Sequence, residues 1–163
     1  MNRYGTLLGI GLCLSAAAHA GVSLDPDELR CIEASARFNA LPPALLIAVR
    51  QQEGGRVGAW RHNADGSFDY GVMQINSLWL PVLAPEGYTA AALTYDSCAS
   101  IAASAWIMAQ ALSTHGAWNR FDANPLAFWR AVGDYHSHTP QLNRSYAEQI
   151  WVRYQHQSGQ RLP

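Results

Sequence analysis

The sequence predicts an all-α domain with at most a minimal β-hairpin in its middle. Apolar residues recur at helical spacing through most of the chain, and capping residues stand where the helices should begin and end. The strict alternation of apolar and polar residues that marks half-buried strands is almost absent. Residues 54–70 interrupt the helical pattern with four glycines among Asn and Asp residues, so a turn-rich loop with a short hairpin could form there.

The first twenty residues have the layout of a secretory signal peptide. Arg3 precedes an apolar run from Leu7 to Ala18, and Ala18-His19-Ala20 is a small-x-small cleavage site. The run is too short to span a bilayer, and the leucine before Cys13 is not the small residue that a lipoprotein signal requires. We therefore expect cleavage after Ala20, export to an oxidising compartment, and no membrane anchor.

The mature chain, residues 21–163, has the length of one domain, and its first two helices have clear boundaries. Asp25 can cap the first helix, with Pro26 in its first turn and acidic residues at the positive end of the helix dipole. We expect this helix to run to Asn39. The prolines of Leu41-Pro42-Pro43 then break the chain and start a second helix, from about Pro43 to Gln52, which Gly54-Gly55 ends.

Four further helices follow the polar segment. A brief one is expected from Ser77 to Leu83, stopped near Pro85, and Asp96 can cap a long one that runs to about His115. The last two are predicted at Asn124-Pro125 through Ala131 and at Pro140–Gln157.

Composition restricts the partners more than it identifies them. The chain has eleven arginines, no lysine and twelve acidic residues, so it lacks the basic patch that nucleic acid requires. The mature chain keeps Cys31 and Cys98, and an even pair in an oxidising compartment favours a disulfide over two buried free thiols. Six tryptophans and seven tyrosines are mostly core material, although one or two could be platforms for sugar rings.

Glu53 is the first candidate for chemistry. It follows the apolar residues 45–49 at the end of the second helix, where desolvation would favour its neutral, proton-donating form. Such a carboxyl group is what general acid cleavage of a glycosidic bond needs. The alternative is that Glu53 simply ends a buried helix in solvent.

Two other acids, Asp65 and Asp69, lie beyond Glu53 in the turn region. Asp69 is expected to face the same cleft, where it could stabilise a cation or position water, unless both acids only cap turns. The segment lacks a twelve-position calcium loop ending in Glu, and the histidines His62, His136 and His138 have no Cys or Glu that completes a zinc set. We therefore expect no metal and no cofactor.

Several segments, in their order and spacing, resemble the lytic transglycosylases of the lysozyme-like superfamily, above all small periplasmic members associated with secretion, conjugation or pilus systems. They cover nearly the whole mature chain: Cys31, Leu41-Pro42-Pro43, Leu45-Leu46, Glu53-Gly54-Gly55, the residues 63–67, Asp69-Tyr70-Gly71-Val72-Met73-Gln74-Ile75-Asn76, Cys98 and Tyr135-His136-Ser137. Two departures are Gly54, where the family tends to have Ser, and the segment Tyr135-His136-Ser137-His138, where the family has Tyr-Asn-x-Gly: His136 replaces the asparagine, and the glycine is missing.

The resemblance implies a lysozyme-like fold in which Glu53 is the sole obligatory acid and base. The implied reaction cleaves the bond between N-acetylmuramic acid and N-acetylglucosamine in peptidoglycan and leaves a 1,6-anhydromuramic acid end. It also implies a monomeric periplasmic enzyme that opens local gaps in the cell wall for a secretion, conjugation or pilus apparatus. A hydrolytic muramidase that uses Asp69, and a non-catalytic peptidoglycan-binding protein, are the alternatives.

The resemblance further assigns substrate contacts to Gly71, Met73, Gln74, Asn76 and Tyr135. Gly71 would permit a close approach, either of the saccharide or of a neighbouring helix. The amides of Gln74 and Asn76 would bind acetamido or hydroxyl groups, or else satisfy loop backbone. Met73 would touch sugar or lie in the core, and the Tyr135 phenol could bind Glu53.

Overall fold

The structure is a computed structural model that describes residues 24–117 and 125–159. The predicted signal peptide, its cleavage site after Ala20, and Asn124, the predicted start of a helix, fall outside the described residues. Within the described ranges, no helix combines the length and the apolar character that crossing a bilayer requires.

Helices make up most of the described chain, as predicted. We label them in chain order: α1 Pro26–Phe38, α2 Pro43–Glu53, α3 Leu80–Leu83, α4 Ala90–Tyr95, α5 Ser97–Thr114, α6 Pro125–Asp134 and α7 Pro140–Ser158. The 3₁₀ turns Ser77–Trp79 and Ala84–Glu86 flank α3. Asp25 accepts a hydrogen bond from the Glu28 amide, and Asp96 accepts from the Cys98 and Ala99 amides, so both predicted N-caps are confirmed.

The structure adds two features to the predicted pattern. Helix α4 was not predicted, although Thr89 caps it by accepting from the Ala92 amide. Residues 54–70 hold the first two strands of an antiparallel sheet with a third strand beyond them, rather than a hairpin alone: β1 Trp60–His62, β2 Phe68–Tyr70 and β3 Ile75–Asn76. Strands of two or three residues are too short for an alternating pattern to stand out in the sequence.

The register of this sheet decides which side chains reach the site. Arg61 pairs with Asp69 across β1 and β2, and Asp69 pairs with Asn76 across β2 and β3. Directly paired residues project from the same face of an antiparallel sheet. Arg61, Asp69 and Asn76 therefore share one face.

The core is built around α5, whose buried residues face α1, α4 and α6. Its apolar members come from every helix and from the 72–75 segment, with Ile32, Leu46, Met73, Ile101 and Ile150 all at most 1% exposed. Cys31 and Cys98 form the expected disulfide, which joins α1 to the first turn of α5 with 5.3 Å between their Cα atoms. The arrangement confirms the predicted mostly helical fold.

Two glycines adopt positive φ next to the site, one at the end of α2 and one after β2. Gly54 ends α2 in the left-handed conformation, with φ of 61°. Gly71 has φ of 64°, and a Cβ atom there would lie 1.9 Å from the Leu93 carbonyl oxygen of α4. Only glycine lets the loop after β2 pack this closely on α4, and that loop carries the next predicted site residues.

Candidate active site

A cleft of about 580 Å³ lies between the sheet and the turn that follows α6. It brings together five of the residues predicted from the sequence, Glu53, Asp69, Gln74, Asn76 and Tyr135. The sheet side adds Arg61, Asn63, Asp65, Ile75, Leu78, Trp79 and Val82, and the helical side adds Ile107, Asp134, His136, Ser137 and His138. The lining is mixed, with polar and charged side chains beside an apolar group at Leu78, Trp79 and Val82.

Glu53, the last residue of α2, lies partly buried at this cleft. Its Oε1 atom accepts a hydrogen bond of 2.5 Å from the hydroxyl of Tyr146, on α7. This contact holds one carboxyl oxygen against the helical side. The other oxygen, Oε2, is left to carry a proton.

Desolvation by the surrounding protein raises the pKa of Glu53 from its ordinary 4.5 to about 7. The hydrogen bond from Tyr146 opposes this rise, the negative charge of Asp69 adds to it, and the Arg61 guanidinium opposes it. Near neutral pH a large fraction of the molecules therefore keep a protonated Glu53, in contrast to a solvent-exposed carboxyl group.

Tyr146 is itself fixed by its surroundings. It is 4% exposed and stacks against His136, with ring centroids 5.0 Å apart and planes inclined by 7°. Tyr135 contacts it as well, at 6.2 Å between centroids. Burial and the nearby Glu53 hold the pKa of Tyr146 well above its usual value, so the phenol remains a donor.

Tyr135 does not take the position foreseen for it beside Glu53. Its hydroxyl donates to the backbone carbonyl of Met73, 3.0 Å away, and Tyr146 contacts Glu53 instead. The reason is the fold: α7 packs along α2 and delivers Tyr146 to the end of that helix. Tyr135 still lines the cleft, and it fixes the loop that carries Gln74.

Asp69 faces the cleft, as expected, but both of its carboxylate oxygens have donors. Arg61 Nη2 lies 2.6 Å from Oδ2, and Asn76 Nδ2 lies 2.9 Å from Oδ1. The side chain of Asp69 is 9% exposed. It is thus a buried acceptor in a polar network on the sheet face, and it does not cap a turn through backbone amides as the alternative proposed.

The amide side chains of Gln74 and Asn76 are largely engaged within the protein. Gln74 Nε2 donates to the Gly71 carbonyl at 2.9 Å, and the residue adopts an unusual positive φ of 49°. Asn76 donates to Asp69 and to Ser67 Oγ, and its Oδ1 accepts from the Leu78 amide. Gln74 lines the cleft, whereas the bonds of Asn76 mainly hold Asp69 in place.

Two predicted contacts are not brought to the lining of the cleft. Met73 is 0% exposed and packs in the core, and Gly71 is buried against α4. Both lie on the loop that the cleft residues share, and it is their backbone carbonyls that contact Tyr135 and Gln74. Of the two alternatives for each residue, the structure favours a core position for Met73 and a close approach to a helix for Gly71.

Asp65 and the histidines each contact neighbouring side chains. Asp65 accepts from both the amide and the hydroxyl of Ser67, and these hydrogen bonds lower its pKa. His136 and His138 line the cleft, whereas His62 packs on Phe68. Among the described residues, no group of three His, Cys, Asp or Glu side chains is placed to hold a metal ion.

The family model for the Transglycosylase SLT domain matches residues 30–157. The chain belongs to this family. Relatives by sequence include Invasion protein IagB of Salmonella typhimurium (strain SL1344), 33% identical over 133 residues that cover 78% of this chain and 76% of the relative. IagB of Salmonella typhi is 34% identical over 128 residues, 76% and 73% of the two chains. Protein IpgF of Shigella flexneri is 32% identical over 127 residues, 75% and 76%.

This SLT transglycosylase is therefore a lytic transglycosylase with peptidoglycan as its substrate. Family membership decides between an enzyme and a binding protein in favour of the enzyme. A larger cavity, about 770 Å³, lies between α6 and α7 around Leu126, Trp129 and Trp151. We place the active site in the smaller cleft because Glu53 faces that one.

Two residues of this transglycosylase site, Tyr146 and Arg61, were not predicted from the sequence. Tyr146 lies on the buried face of α7 with Ala147, Ile150 and Tyr154, so helical spacing alone indicates a buried phenol in need of a partner. That its partner is Glu53, 93 residues away, was not evident from the pattern. Arg61 could be paired with Asp69 only once the strands and their register were known.

Proposed function

We propose that this lytic transglycosylase cleaves the β-1,4 bond between N-acetylmuramic acid and N-acetylglucosamine and leaves a 1,6-anhydromuramic acid end. Glu53 is the catalytic acid and base in this proposal. The observation that carries it is the partly buried Glu53 carboxyl, with its pKa at about 7, beside a cleft of about 580 Å³. A group with this pKa can both give and take a proton near neutral pH.

In the first step, protonated Glu53 donates its proton to the bridging oxygen. The bond between C1 of muramic acid and that oxygen breaks, its electron pair stays on the oxygen, and the N-acetylglucosamine side leaves as an alcohol. The hydrogen bond from Tyr146 to Oε1 directs the proton to the other oxygen of Glu53. The sugar left behind is an oxocarbenium-like cation at C1.

In the second step, the ionised Glu53 takes the proton from the C6 hydroxyl of the same muramic acid. The C6 oxygen bonds to C1, which closes the anhydro ring and restores protonated Glu53. No water is consumed. Because the nucleophile is part of the substrate, its high effective molarity removes the need for a second carboxylate that activates water.

The remaining site residues have supporting roles in this proposal. The Gln74 amide and the polar sheet face bind acetamido and hydroxyl groups of the sugars, and Leu78, Trp79 and Val82 cover their apolar faces. Tyr135, Met73 and Gly71 fix the loop of Gln74 through the two backbone bonds described above. Asn76 acts through Asp69.

A hydrolytic muramidase remains the second candidate, because Asp69 lines the same cleft as Glu53. That reaction needs a carboxylate free to position and deprotonate a water molecule. The donors on both oxygens of Asp69 favour the anhydro product over the hydrolytic one.

For the cellular role, we propose a periplasmic enzyme, exported by residues 1–20, that makes local gaps in the cell wall for a secretion, conjugation or pilus apparatus. Relatives that are named invasion proteins support such a role. The mature domain would comprise residues 21–163.

The direct test is digestion of purified sacculi followed by mass spectrometry of the released muropeptides. We expect anhydromuramic ends, which are lighter than reducing ends by one water molecule. Reducing ends as the main product would replace this proposal with the hydrolytic one.

A prediction concerns Tyr146, which we expect to act as a positioning residue. The variant Tyr146→Phe should lower kcat by about tenfold, the scale of one hydrogen bond to an ionisable group. Since the hydrogen bond lowers the pKa of Glu53, its loss should raise that pKa further. The fall of activity at alkaline pH should then begin at a higher pH than in the wild type, as measured by the pH profile of kcat/KM.

The control for this prediction is Tyr135→Phe, which removes a phenol that donates to the Met73 carbonyl and not to Glu53. It should leave the alkaline limb of the profile in place. A Tyr146→Phe limb that coincides with that of the wild type would show that the phenol does not act on Glu53.

A further inference from the structure

Arg61 is a cation at the cleft that neither the sequence pattern nor the proposed chemistry requires. It lies on β1 directly opposite Asp69 of β2, so the two side chains leave the same face of the sheet. Its Nη2 and Nε atoms lie 2.6 and 3.3 Å from the same oxygen of Asp69, Oδ2. The Arg61 side chain is 66% exposed, whereas that of Asp69 is 9% exposed.

The arginine therefore covers the one oxygen of Asp69 that the rest of the protein leaves uncovered. The other oxygen, Oδ1, accepts from Asn76, which is itself held by Ser67 and Leu78. Removal of Arg61 would leave Oδ2 as a carboxylate oxygen without its cation, open to the cleft. Removal of Asn76 would disturb the start of the 3₁₀ turn as well, so Arg61 is the separable partner.

Asp69 is close enough to the reaction for an uncovered oxygen on its carboxylate to affect the product. It lines the same cleft as Glu53, and its charge contributes to the raised pKa of Glu53. A carboxylate in this position with a free oxygen could hold a water molecule for attack on C1, which is the hydrolytic reaction. One whose oxygens are both bound by donors is a poor base.

We propose that Arg61 determines the product of this enzyme by keeping Asp69 from activating water. The inference rests on the proposed function, in which Glu53 generates the cation at C1. With Arg61 in place, the C6 hydroxyl is the nucleophile that reacts. Arg61 is a positioning residue in this account, since it acts through Asp69.

Without Arg61, a competing second step opens. The oxygen of a water molecule bonds to C1, one of its protons passes to Asp69 Oδ2, and the remaining hydroxyl group gives a reducing end. Glu53, which had lost its proton to the leaving oxygen, regains one through solvent as Asp69 releases the one it took. One water is consumed for each bond cleaved, and no other reactant is needed.

The test is the ratio of reducing ends to anhydro ends in digests by Arg61→Met, measured by mass spectrometry. We expect the ratio to rise at least about tenfold, below the 10²–10⁴-fold that a well-placed general base supplies. The double variant Arg61→Met/Asp69→Asn should return the ratio to the wild-type value. Arg37→Met, a change at an exposed arginine on α1, is the matched control and should not alter it.

The outcomes separate the two proposals. A wild-type enzyme that yields anhydro ends, with an unchanged ratio in Arg61→Met, would overturn the role of Arg61 and leave the proposed function standing. An equal rise in the single and double variants would also overturn it, because water would then enter without Asp69. Reducing ends from the wild type would overturn both. Arg61→Leu, which also lacks a hydrogen-bond donor for Asp69, serves as a second variant if circular dichroism shows that Arg61→Met does not fold.

Discussion

The Glu53→Gln enzyme is expected to release muropeptides from sacculi at a rate lower by roughly 10²-fold or more, the scale of lost general acid catalysis. Glutamine keeps the size of the side chain and can still accept the hydrogen bond from Tyr146. It has no acidic proton for the bridging oxygen. The loss should therefore fall on kcat, with binding of the glycan little changed.

The pH dependence of the wild type should follow from the same group. General acid catalysis needs the protonated form, and the pKa of Glu53 is raised to about 7 by desolvation. The rate of bond cleavage should thus fall as the pH rises through about 7, tenfold per unit once Glu53 is ionised. A carboxyl group with an ordinary pKa would already be mostly ionised near pH 5 and could no longer act as an acid.

Glu33→Gln is the matched control, since it makes the same chemical change at an exposed position of α1. It should retain wild-type activity and the wild-type pH profile. If Glu53→Gln retained more than about a tenth of the wild-type rate, the loss of rate would be smaller than the contribution of general acid catalysis. Glu53 would then not be the acid.

The largest effect on stability is expected from the disulfide. Replacing both Cys31 and Cys98 by Ser should lower the free energy of unfolding by about 4 kcal/mol, the chain-entropy value for a loop of 67 residues. The physical reason is that the bridge restricts the unfolded chain between α1 and α5, and folding then loses less entropy. Urea unfolding of the oxidised wild type and of the double variant measures the difference.

Reduction of the wild type provides the control, because it breaks the same bond without a change of side chain. The reduced protein and the double variant should unfold at similar urea concentrations. A double variant as stable as the oxidised wild type would mean that native packing of α1 on α5 alone sets the stability. Activity of the folded double variant should persist, since the cleft lining does not include either cysteine.

The helices could be predicted because local chemistry decides where they begin and end. Asp25, Asp96 and the prolines at 26, 43 and 140 act on their immediate neighbours, and each stands at the start of a helix in the structure. The sheet is different. Its strands are held by pairing and by packing of the loop at Gly71 on α4, and these contacts depend on the whole fold.

The candidate site also combines residues that local sequence could predict with residues that depend on the whole fold. Glu53 could be found from the apolar residues that precede it on the same helix, and Asp69 from its place in the turn region. Tyr146 is 93 residues from Glu53 in the sequence, and the pairing of Arg61 with Asp69 follows from the register of β1 on β2. Tyr135 was expected beside Glu53, but the packing of α7 on α2 gives that place to Tyr146.

Titration of the Glu53 carboxyl by ¹³C NMR tests the central claim most directly. The chain has five glutamates, so protein labelled at the glutamate side-chain carboxyl gives few signals, and Glu53→Gln identifies the one from Glu53. We predict a midpoint at about pH 7 for this signal. A midpoint near 4.5, the ordinary value, would contradict it, because the cleft would then hold an ionised carboxylate with no proton to donate.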